Sequence, residues 1–213
     1  MRSLPLHAQD IINDPIMMAS SVICLTETSL NTEWQGWSDF KDFTVYQKTR
    51  RETASDSNQE ARKSGGVALL HKKSYHSFCN ESVADKYLEM VSMRFRGKES
   101  AHVTLLYKDQ KMSKKDFLSR MDQLFSLHGD REAIIMGDFN IDMKQDNSLE
   151  TVARANGFLP IVDVATTIYD SLLDQVFINF PMPRNWEVIS LQSYFSDHNL
   201  VVLCLKKKEF FLD

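Results

Sequence analysis

Short apolar runs separated by polar connections recur along the whole chain. Runs in which every residue is apolar are typical of strands buried on both faces, whereas alternating runs are typical of strands with one exposed face. Tyr87–Phe95 is of the alternating kind. The predicted strands are Val22–Leu25, Gly65–Leu70, Tyr87–Phe95, Val103–Leu106, Ala133–Met136, Leu173–Ile178, Trp186–Leu191 and Leu200–Leu205.

Helical periodicity is confined to a few segments. Ser113 to His128 shows it most clearly, because Ser113 and Asp116 form a capping box and Gly129 closes the end. The other predicted helices are Leu6–Met18, interrupted at Pro15, and Ser148–Asn156. Many strands with few helices predict an α+β fold in which two packed sheets have helices outside. Nothing marks a boundary, so residues 1–213 are predicted to form one domain.

The apolar run Ala133–Met136 ends in Gly137-Asp138-Phe139-Asn140. In an extended backbone Asp138 and Asn140 share one face. A carboxylate at a strand end suits binding a hard cation or activating a water, and an amide suits holding a phosphate oxygen. Gly, Asp and Asn also form turns, so this stretch taken alone is either a site or a turn. The nearby Asp142 is interpreted as a turn residue rather than a ligand.

Polar residues cluster at the ends of the predicted strands. Glu27, Tyr107 and Asp138 each follow a buried strand, whereas Ser196-Asp197-His198 precedes the last strand. If that strand runs antiparallel to the others, all these clusters meet at one edge of a sheet. The sequence therefore predicts a site at that edge.

Composition is that of an ordinary soluble globular protein, with a net charge of −4. That charge argues against wholesale wrapping of nucleic acid but not against a local basic contact surface. No apolar run approaches a membrane span and the N-terminus lacks a signal-peptide core, so we expect an intracellular, non-secreted protein with no membrane partner. Cys24, Cys79 and Cys204 lie in apolar runs and are interpreted as core residues in a reducing compartment.

The segment between Gln47 and Gly65 is polar and carries five basic residues against three acidic ones. It is interpreted either as a contact with a phosphate backbone or as a solvated loop. Lys206-Lys207-Lys208 is either a solvated strand exit or the start of a linker. The basic residues of the first segment are Lys48, Arg50, Arg51, Arg62 and Lys63.

Five motifs taken in order resemble one superfamily. They are Leu25-Thr26-Glu27-Thr28, Gly65-Gly66-Val67-Ala68-Leu69 with Tyr107, Gly137-Asp138-Phe139-Asn140, Leu173-Asp174-Gln175-Val176-Phe177 and Ser196-Asp197-His198. The set resembles the endonuclease/exonuclease/phosphatase superfamily with its DNase I-like fold, and within it the endonuclease domains of non-LTR retrotransposons and Helitron-type transposons. The opening Arg2-Ser3-Leu4-Pro5 is similar as well.

The resemblance implies a four-layer α/β/β/α sandwich and a metal-dependent endonuclease that nicks DNA in the manner of the apurinic/apyrimidinic endonucleases, leaving a 3′-OH and a 5′-phosphate. It implies Mg²⁺, or alternatively Mn²⁺, held by Glu27 with Asp197 as a further ligand or orienting group. Asp138 would orient or deprotonate water, and Asn140 and Tyr107 would bind phosphate oxygens. Asp174 would fix the tautomer of His198 and raise its pKa. Whether Asp138 or His198 takes the proton stays open.

The resemblance also implies a context. The partner would be DNA, the location nuclear after cytoplasmic synthesis, and the chain part of a larger element-encoded protein. Family members usually begin with a strand ending in an Asn that would fall just before Met1 here, so the first strand is expected to be truncated. The chain would then be an excised piece or a relic with reduced activity. Alternative functions are a phosphatase or phosphodiesterase acting on a small phosphoester, although the Trp-x-Asp-Arg pattern is absent from Leu173–Phe177, or a non-catalytic nucleic-acid-binding module.

Overall fold

The computed structural model describes residues 4–30, 34–49, 65–84, 87–96, 101–181 and 186–204, without the side chains of 78–84. The helices are α1 (Leu4–Asn13), α2 (Pro15–Ala19), α3 (Lys114–Leu127) and α4 (Ser148–Ala155), with a 3-10 helix at Gln35–Asp39. The strands are β1 (Val22–Thr26), β2 (Phe43–Lys48), β3 (Val67–Lys72), β4 (Ser77–Ala84), β5 (Leu88–Phe95), β6 (His102–Lys108), β7 (Ala133–Asp138), β8 (Leu159–Pro160), β9 (Asp174–Ile178), β10 (Glu187–Leu191) and β11 (Leu200–Cys204).

The larger sheet has six strands in the order β4-β5-β6-β7-β9-β8. β6 and β7 are parallel, and the other neighbours are antiparallel. A parallel pair needs a crossover connection, which α3 supplies between these two strands. Ser113 caps α3 by accepting a hydrogen bond from the Asp116 N–H at 3.1 Å, as the capping box predicts.

A second sheet of three strands, β1-β3-β2, packs against the first. The contact is made by every second residue, because side chains alternate between the faces of a strand. Val67 and Leu69 of β3 therefore pack in the same cluster as Val91 of β5 and Leu105 of β6, whereas Ala68 and Leu70 face the opposite way. This cluster between the sheets is the central core.

Helices cover the outer face of each sheet. α1 and α2 pack on the three-stranded sheet through Leu4, Ile11 and Met17. α3 and α4 pack on the six-stranded sheet through an apolar face of Phe117, Met121, Phe125, Leu149 and Ala153. The order helix, sheet, sheet, helix confirms the predicted α/β/β/α sandwich.

The structure differs from the predicted elements at several strands. β2 and β4 were not predicted because polar residues interrupt them, and β8 is only two residues long. The prediction that one face of Tyr87–Phe95 is exposed is wrong, because both faces of β5 are buried. Its polar residues are instead hydrogen-bonded inside, as Ser92 is to Thr104 at 2.9 Å. The predicted core position of Cys204 is also wrong, since this residue is exposed at the end of β11.

Within the described ranges β1 pairs with β3, and β11 pairs with β10 in a separate two-stranded sheet. A cavity of about 600 Å³ separates β1 from β11. Its walls come from both strands, from α2 and from Val103, Ile134 and Val176 of the larger sheet. Most of the basic segment 47–65 and Lys206–Lys208 lie outside the described residues.

Candidate active site

Three predicted site residues are direct neighbours across the larger sheet. Tyr107 of β6 lies opposite Asp138 of β7, which in turn lies opposite Asp174 of β9. All three side chains are on the face toward the smaller sheet, because they are in phase with the inward-facing residues of their strands. Tyr107 and Asp138 are buried and Asp174 is partly exposed. The row therefore leads from the interior to the surface.

His198 joins this row from the segment before β11. The segment is held by an isolated antiparallel bridge between Thr167 and His198, and by a hydrogen bond from the Asn199 N–H to the Thr166 carbonyl at 2.7 Å. His198 Nδ1 lies 2.8 Å from Asp174 Oδ2. The predicted contact between Asp174 and His198 is thus present. Its catalytic role remains a prediction.

Burial and charge shift the pKa values of two of these groups. Burial raises the pKa of Asp138 to about 7, with a further contribution from the charge of Asp174. Burial alone would lower the pKa of His198, but the hydrogen bond and the charge of Asp174 outweigh it and raise that pKa to about 9. Between about pH 7 and pH 9 the site therefore holds Asp138 as a carboxylate and His198 as an imidazolium.

Asp138 and Asn140 are brought together by a turn. Asn140 has a φ of 45°, and its N–H donates to Asp138 Oδ1 at 2.9 Å. The expectation of a shared face on an extended backbone is therefore wrong, although the two side chains do meet. Both amide hydrogens of Asn140 are used, one on the Lys108 carbonyl at 2.7 Å and one on Asp138 Oδ2 at 3.3 Å. A phosphate oxygen would have to replace the longer of these bonds.

Gly137 allows β6 and β7 to approach closely just before the turn. A Cβ atom at this position would lie 1.8 Å from the Leu106 carbonyl oxygen. Such a distance is impossible for a real side chain, so glycine is required at this position. The Gly-Asp-Phe-Asn motif therefore combines a close strand contact with the turn that presents Asp138.

Glu27 enters the site from the end of β1. Tyr107 Oη donates to Glu27 Oε1 at 2.6 Å. Burial, followed by this hydrogen bond, raises the pKa of Tyr107 well above its usual range. The phenol therefore stays protonated, and its one O–H is directed at Glu27 rather than at an incoming phosphate. The predicted phosphate contact of Tyr107 would require this bond to be exchanged.

The chemistry of the donor set fits a divalent cation. Among the described residues, Asp138, Asp174 and His198 bring potential ligand atoms within 4.8 Å of one another, and this group includes neither Glu27 nor Asp197. His198 is a poor ligand there because its raised pKa keeps the imidazole protonated. Clustered carboxylates that disfavour each other's charge are the donors that Mg²⁺ or Mn²⁺ would neutralise. The assignment of Glu27 and Asp197 as ligands remains a prediction.

Two further residues organise the site and were not found from the sequence. Thr166 Oγ1 accepts the N–H groups of Leu173 and Asp174 at 3.1 and 3.0 Å, which fixes the start of β9. Glu89 lies opposite Tyr107 on β5, 1% exposed. Neither had a sequence signal, because Thr166 lies in an irregular connection and Glu89 in an alternating strand that was expected to be half exposed.

Asp142 and three buried histidines have structural positions. Asp142 Oδ1 accepts the N–H groups of Lys144 and Leu172, at 3.2 and 3.0 Å, in agreement with its interpretation as a turn residue. His71, His102 and His128 are buried away from the row described above. His71, for example, lies between the Lys72 carbonyl and Ser77 Oγ.

A sequence model described as the endonuclease/exonuclease/phosphatase family matches residues 6–198. This match covers most of the chain and every motif of the candidate site. The chain belongs to this family. No curated protein matches the chain in a sequence search.

Several solved structures share this fold. The endonuclease domain of TRAS1, a telomere-specific non-LTR retrotransposon, has a TM-score of 0.69 at 15% identity, with 95% of this chain and 93% of that chain covered. An AP endonuclease from Archaeoglobus fulgidus has a TM-score of 0.68 at 12% identity, covering 96% of each chain. The human Nocturnin catalytic domain has a TM-score of 0.62 at 14% identity, with 87% of this chain and 80% of that chain covered. At these identities the likeness shows the DNase I-like fold. No described helix is long and apolar enough to cross a membrane.

Proposed function

We propose that this family member is a Mg²⁺-dependent phosphodiesterase that nicks DNA, leaving a 3′-OH and a 5′-phosphate. The observation that carries the proposal is the 2.8 Å pair of His198 and Asp174 beside the buried carboxylate of Asp138. Hydrolysis of a phosphodiester needs a group that accepts a proton from water and positive charge near the phosphate. In this proposal Asp138 supplies the proton acceptor and His198 supplies the positive charge.

The pKa shifts favour one division of labour between the two groups. Asp138, with a pKa near 7, is the base that orients and deprotonates the attacking water. His198, with a pKa near 9, is the cation, and its remaining N–H would donate to a phosphate oxygen. Asp174 acts through His198 by fixing its tautomer and holding its charge. Asn140 orients Asp138 and would bind a phosphate oxygen in exchange for its 3.3 Å hydrogen bond to Asp138 Oδ2.

The carboxylates are the part of the chain that would hold the cation. Glu27 and Asp197 are proposed as its ligands, next to Asp138. Mg²⁺ needs only one or two carboxylates because it retains much of its water shell, and Mn²⁺ accepts the same donors. When bound it neutralises the charge that develops on the leaving 3′ oxygen. Tyr107 holds the Glu27 carboxylate in place through the 2.6 Å hydrogen bond.

DNA is proposed as the substrate, in the nucleus, with the chain acting as part of a larger protein encoded by a transposable element. The fold shared with the TRAS1 endonuclease domain and with an AP endonuclease supports this context. The basic segment between Gln47 and Gly65 would contribute contacts to the phosphate backbone.

A plasmid-nicking assay with and without EDTA tests the proposal. Supercoiled plasmid should become open-circular with Mg²⁺, EDTA should abolish the reaction, and Glu27→Gln should slow it by about tenfold or more. Ligation of the nicked product without end repair checks for the 3′-OH and 5′-phosphate. Arg154→Gln, an exposed change on α4 that removes an ion pair with Glu150, is the matched control and should nick at the parental rate.

Three outcomes would contradict the proposal, and the last two would favour the alternative functions. Nicking that continues unchanged in EDTA would remove the metal from the mechanism. Hydrolysis of inositol phosphates or nucleotide phosphoesters without nicking would indicate a small phosphoester as the substrate. DNA binding without hydrolysis of any of these compounds would indicate a non-catalytic binding module.

A further inference from the structure

Glu89 is a carboxylate in an otherwise apolar row of the core between the two sheets. It precedes Val91, Met93 and Phe95 on the same face of β5, and all of them are almost completely buried. A buried carboxylate is costly unless it is hydrogen-bonded or paired. Glu89 Oε2 accepts the Gly66 N–H at 2.8 Å. This bond links the larger sheet to the turn that begins β3 in the smaller sheet.

The turn at Gly65 and Gly66 has a backbone conformation that suits glycine, with φ values of 107° and 90°. It also fits closely against the segment after β1, because a Cβ atom on Gly66 would lie 2.5 Å from Thr28 Oγ1. The Glu89 carboxylate holds this turn through the Gly66 N–H.

The same turn holds the segment that carries Glu27 through backbone hydrogen bonds. The Thr28 N–H donates to the Gly66 carbonyl at 3.1 Å, and the Ser29 N–H donates to the Gly65 carbonyl at 2.8 Å. Glu27 and Ser29 have φ values of 54° and 55°, which are unfavourable for residues with a Cβ atom. Such conformations persist where the surrounding structure enforces them, and here the two carbonyls do so.

The backbone at Glu27 is therefore strained, and its conformation depends on the turn. Its carboxylate meets Tyr107 Oη at 2.6 Å, and Tyr107 lies directly opposite Glu89 in the β5–β6 ladder. The path runs from Glu89 through the Gly66 N–H and the two carbonyls to the backbone of Glu27. Glu89 is thus linked to the Glu27 segment through the turn, and it is also the cross-strand neighbour of Tyr107.

We propose that Glu89 is a positioning residue that fixes the Glu27 carboxylate through the Gly65–Gly66 turn. Its importance for catalysis rests on the proposed function, in which Glu27 holds the cation. Its effect on the Glu27 segment does not, so the two can be tested separately. Groups that orient the ligands of a metal commonly change metal affinity or activity by about 10–100-fold when they are removed.

Amide hydrogen exchange, measured without metal or substrate, tests the structural part. Glu89→Leu removes the acceptor at similar size, whereas Glu89→Gln keeps a carbonyl oxygen for the Gly66 N–H. Exchange of the Thr28 and Ser29 amides should rise about tenfold or more in Glu89→Leu and stay near the parental rate in Glu89→Gln. Val91→Ala, on the same face of β5, is the control: it should lower Tm without selectively exposing these amides.

The Mg²⁺ dependence of nicking tests the catalytic part. Glu89→Leu should raise the half-saturating Mg²⁺ concentration by about tenfold or more, and Glu89→Gln and Val91→Ala should not. Combining Glu89→Leu with Glu27→Gln should be hardly worse than Glu27→Gln alone, since both changes disable the same ligand. If Glu89→Leu does not fold, Glu89→Asp withdraws the carboxylate from the Gly66 N–H by one methylene and should give the same results.

The proposal is overturned if Glu89→Leu behaves like Val91→Ala, with a lower Tm but parental exchange at Thr28 and Ser29 and parental Mg²⁺ dependence. Parental protein that does not nick in Mg²⁺ would instead overturn the proposed function. In that case the exchange rates still decide whether Glu89 positions the Glu27 segment.

Discussion

His198 Nδ1 lies 2.8 Å from Asp174 Oδ2, although 24 residues separate the two along the chain. The two side chains are about equally shielded, at 20% and 18% exposed. The carboxylate raises the pKa of His198 against the effect of burial, so the pair is a fixed imidazolium and carboxylate near neutral pH. Because Asp138 lies next to this pair, the positive charge of His198 is close to the proposed site of reaction.

Asp174→Asn is expected to leave the fold intact and to lower the nicking rate by about 10²–10⁴-fold, because an amide stabilises neither the charge nor the correct tautomer of His198. The pH above which the rate declines should also fall, since Asp174 is what raises the pKa of His198. Steady-state nicking between pH 6 and 10 measures both effects. A variant with the parental rate and pH profile would show that Asp174 has only a structural role.

Asp138→Asn is expected to abolish nicking and yet stabilise the metal-free protein at pH 8. The pKa of Asp138 is raised in the folded state from 3.8 to about 7, so charging this group opposes folding. The penalty is absent below about pH 4 and complete above about pH 7. Thermal unfolding in EDTA should give a Tm higher by about 2–4 °C at pH 8, equivalent to ~1 kcal/mol for a domain of this size.

That gain in Tm should shrink as the pH falls from 8 toward 4. Arg154→Gln, far from the row, is the control and should show no such trend. A less stable Asp138→Asn variant at pH 8 would show that the folded protein favours the charged carboxylate. The Asn140 N–H, which donates to Asp138 Oδ1, would then be the stabilising group.

His198 also makes stability fall with rising pH, as Asp138 does, but in a higher pH window. Its folded pKa is raised from 6.5 to about 9, so its pairing with Asp174 stabilises the protein fully below about pH 6.5 and is lost as the pH rises through about 9. Tm in EDTA should therefore fall between pH 7 and 9 in the parental protein. His198→Ala should remove most of this fall.

The residues at strand ends could be predicted from the sequence because their position follows from a one-dimensional pattern. A carboxylate directly after a buried run must lie at an edge of a sheet, and this placed Glu27 and Asp138 correctly at one end of the sandwich. The meeting of Asp174 with His198 followed from the family resemblance. The layers followed from the number of strands and helices.

What could not be predicted depends on contacts between distant elements. Glu89 resembles a surface residue of an alternating strand, and only the second sheet above it makes the position internal. The turn at Asn140 replaces an extended backbone because Asp138 Oδ1 accepts the Asn140 N–H, a local competition that periodicity does not reveal. β2 was missed because its polar residues sit at the edge of a sheet, where they are tolerated.

The cavity between β1 and β11 lies where one more strand would fit between them. Each flanking strand is five residues long, and within the described ranges the structure pairs each of them on one side. Both faces of an inserted strand would meet apolar groups, α2 residues such as Ile16 on one side and Val103 and Ile134 on the other. A strand buried on both faces is a continuous apolar run.

The direction of such a strand follows from the start of α1. The Leu4 N–H donates to the Thr28 carbonyl at 2.9 Å, so the chain enters α1 at the end of β1 that carries the site. A strand leading into α1 would therefore run parallel to β1, with α1 and α2 as the crossover. Its last residue would lie near the cavity of about 140 Å³ that Asp174 and His198 line.

An extended segment of about ten residues fused upstream of Met1, with five consecutive Val and Ile residues, is expected to fill this cavity as a strand. Pairing with β1 on one side and β11 on the other would satisfy backbone groups and bury apolar surface, so Tm should rise by at least about 4 °C.

An Asn after the apolar run should also raise the nicking rate, and changing it to Ala should keep the stability and lose most of the gain in rate. The matched control replaces the central Val by Pro, which cannot donate to a neighbouring strand, and should give neither gain. Equal melting temperatures for the Val and Pro fusions would show that no strand binds between β1 and β11.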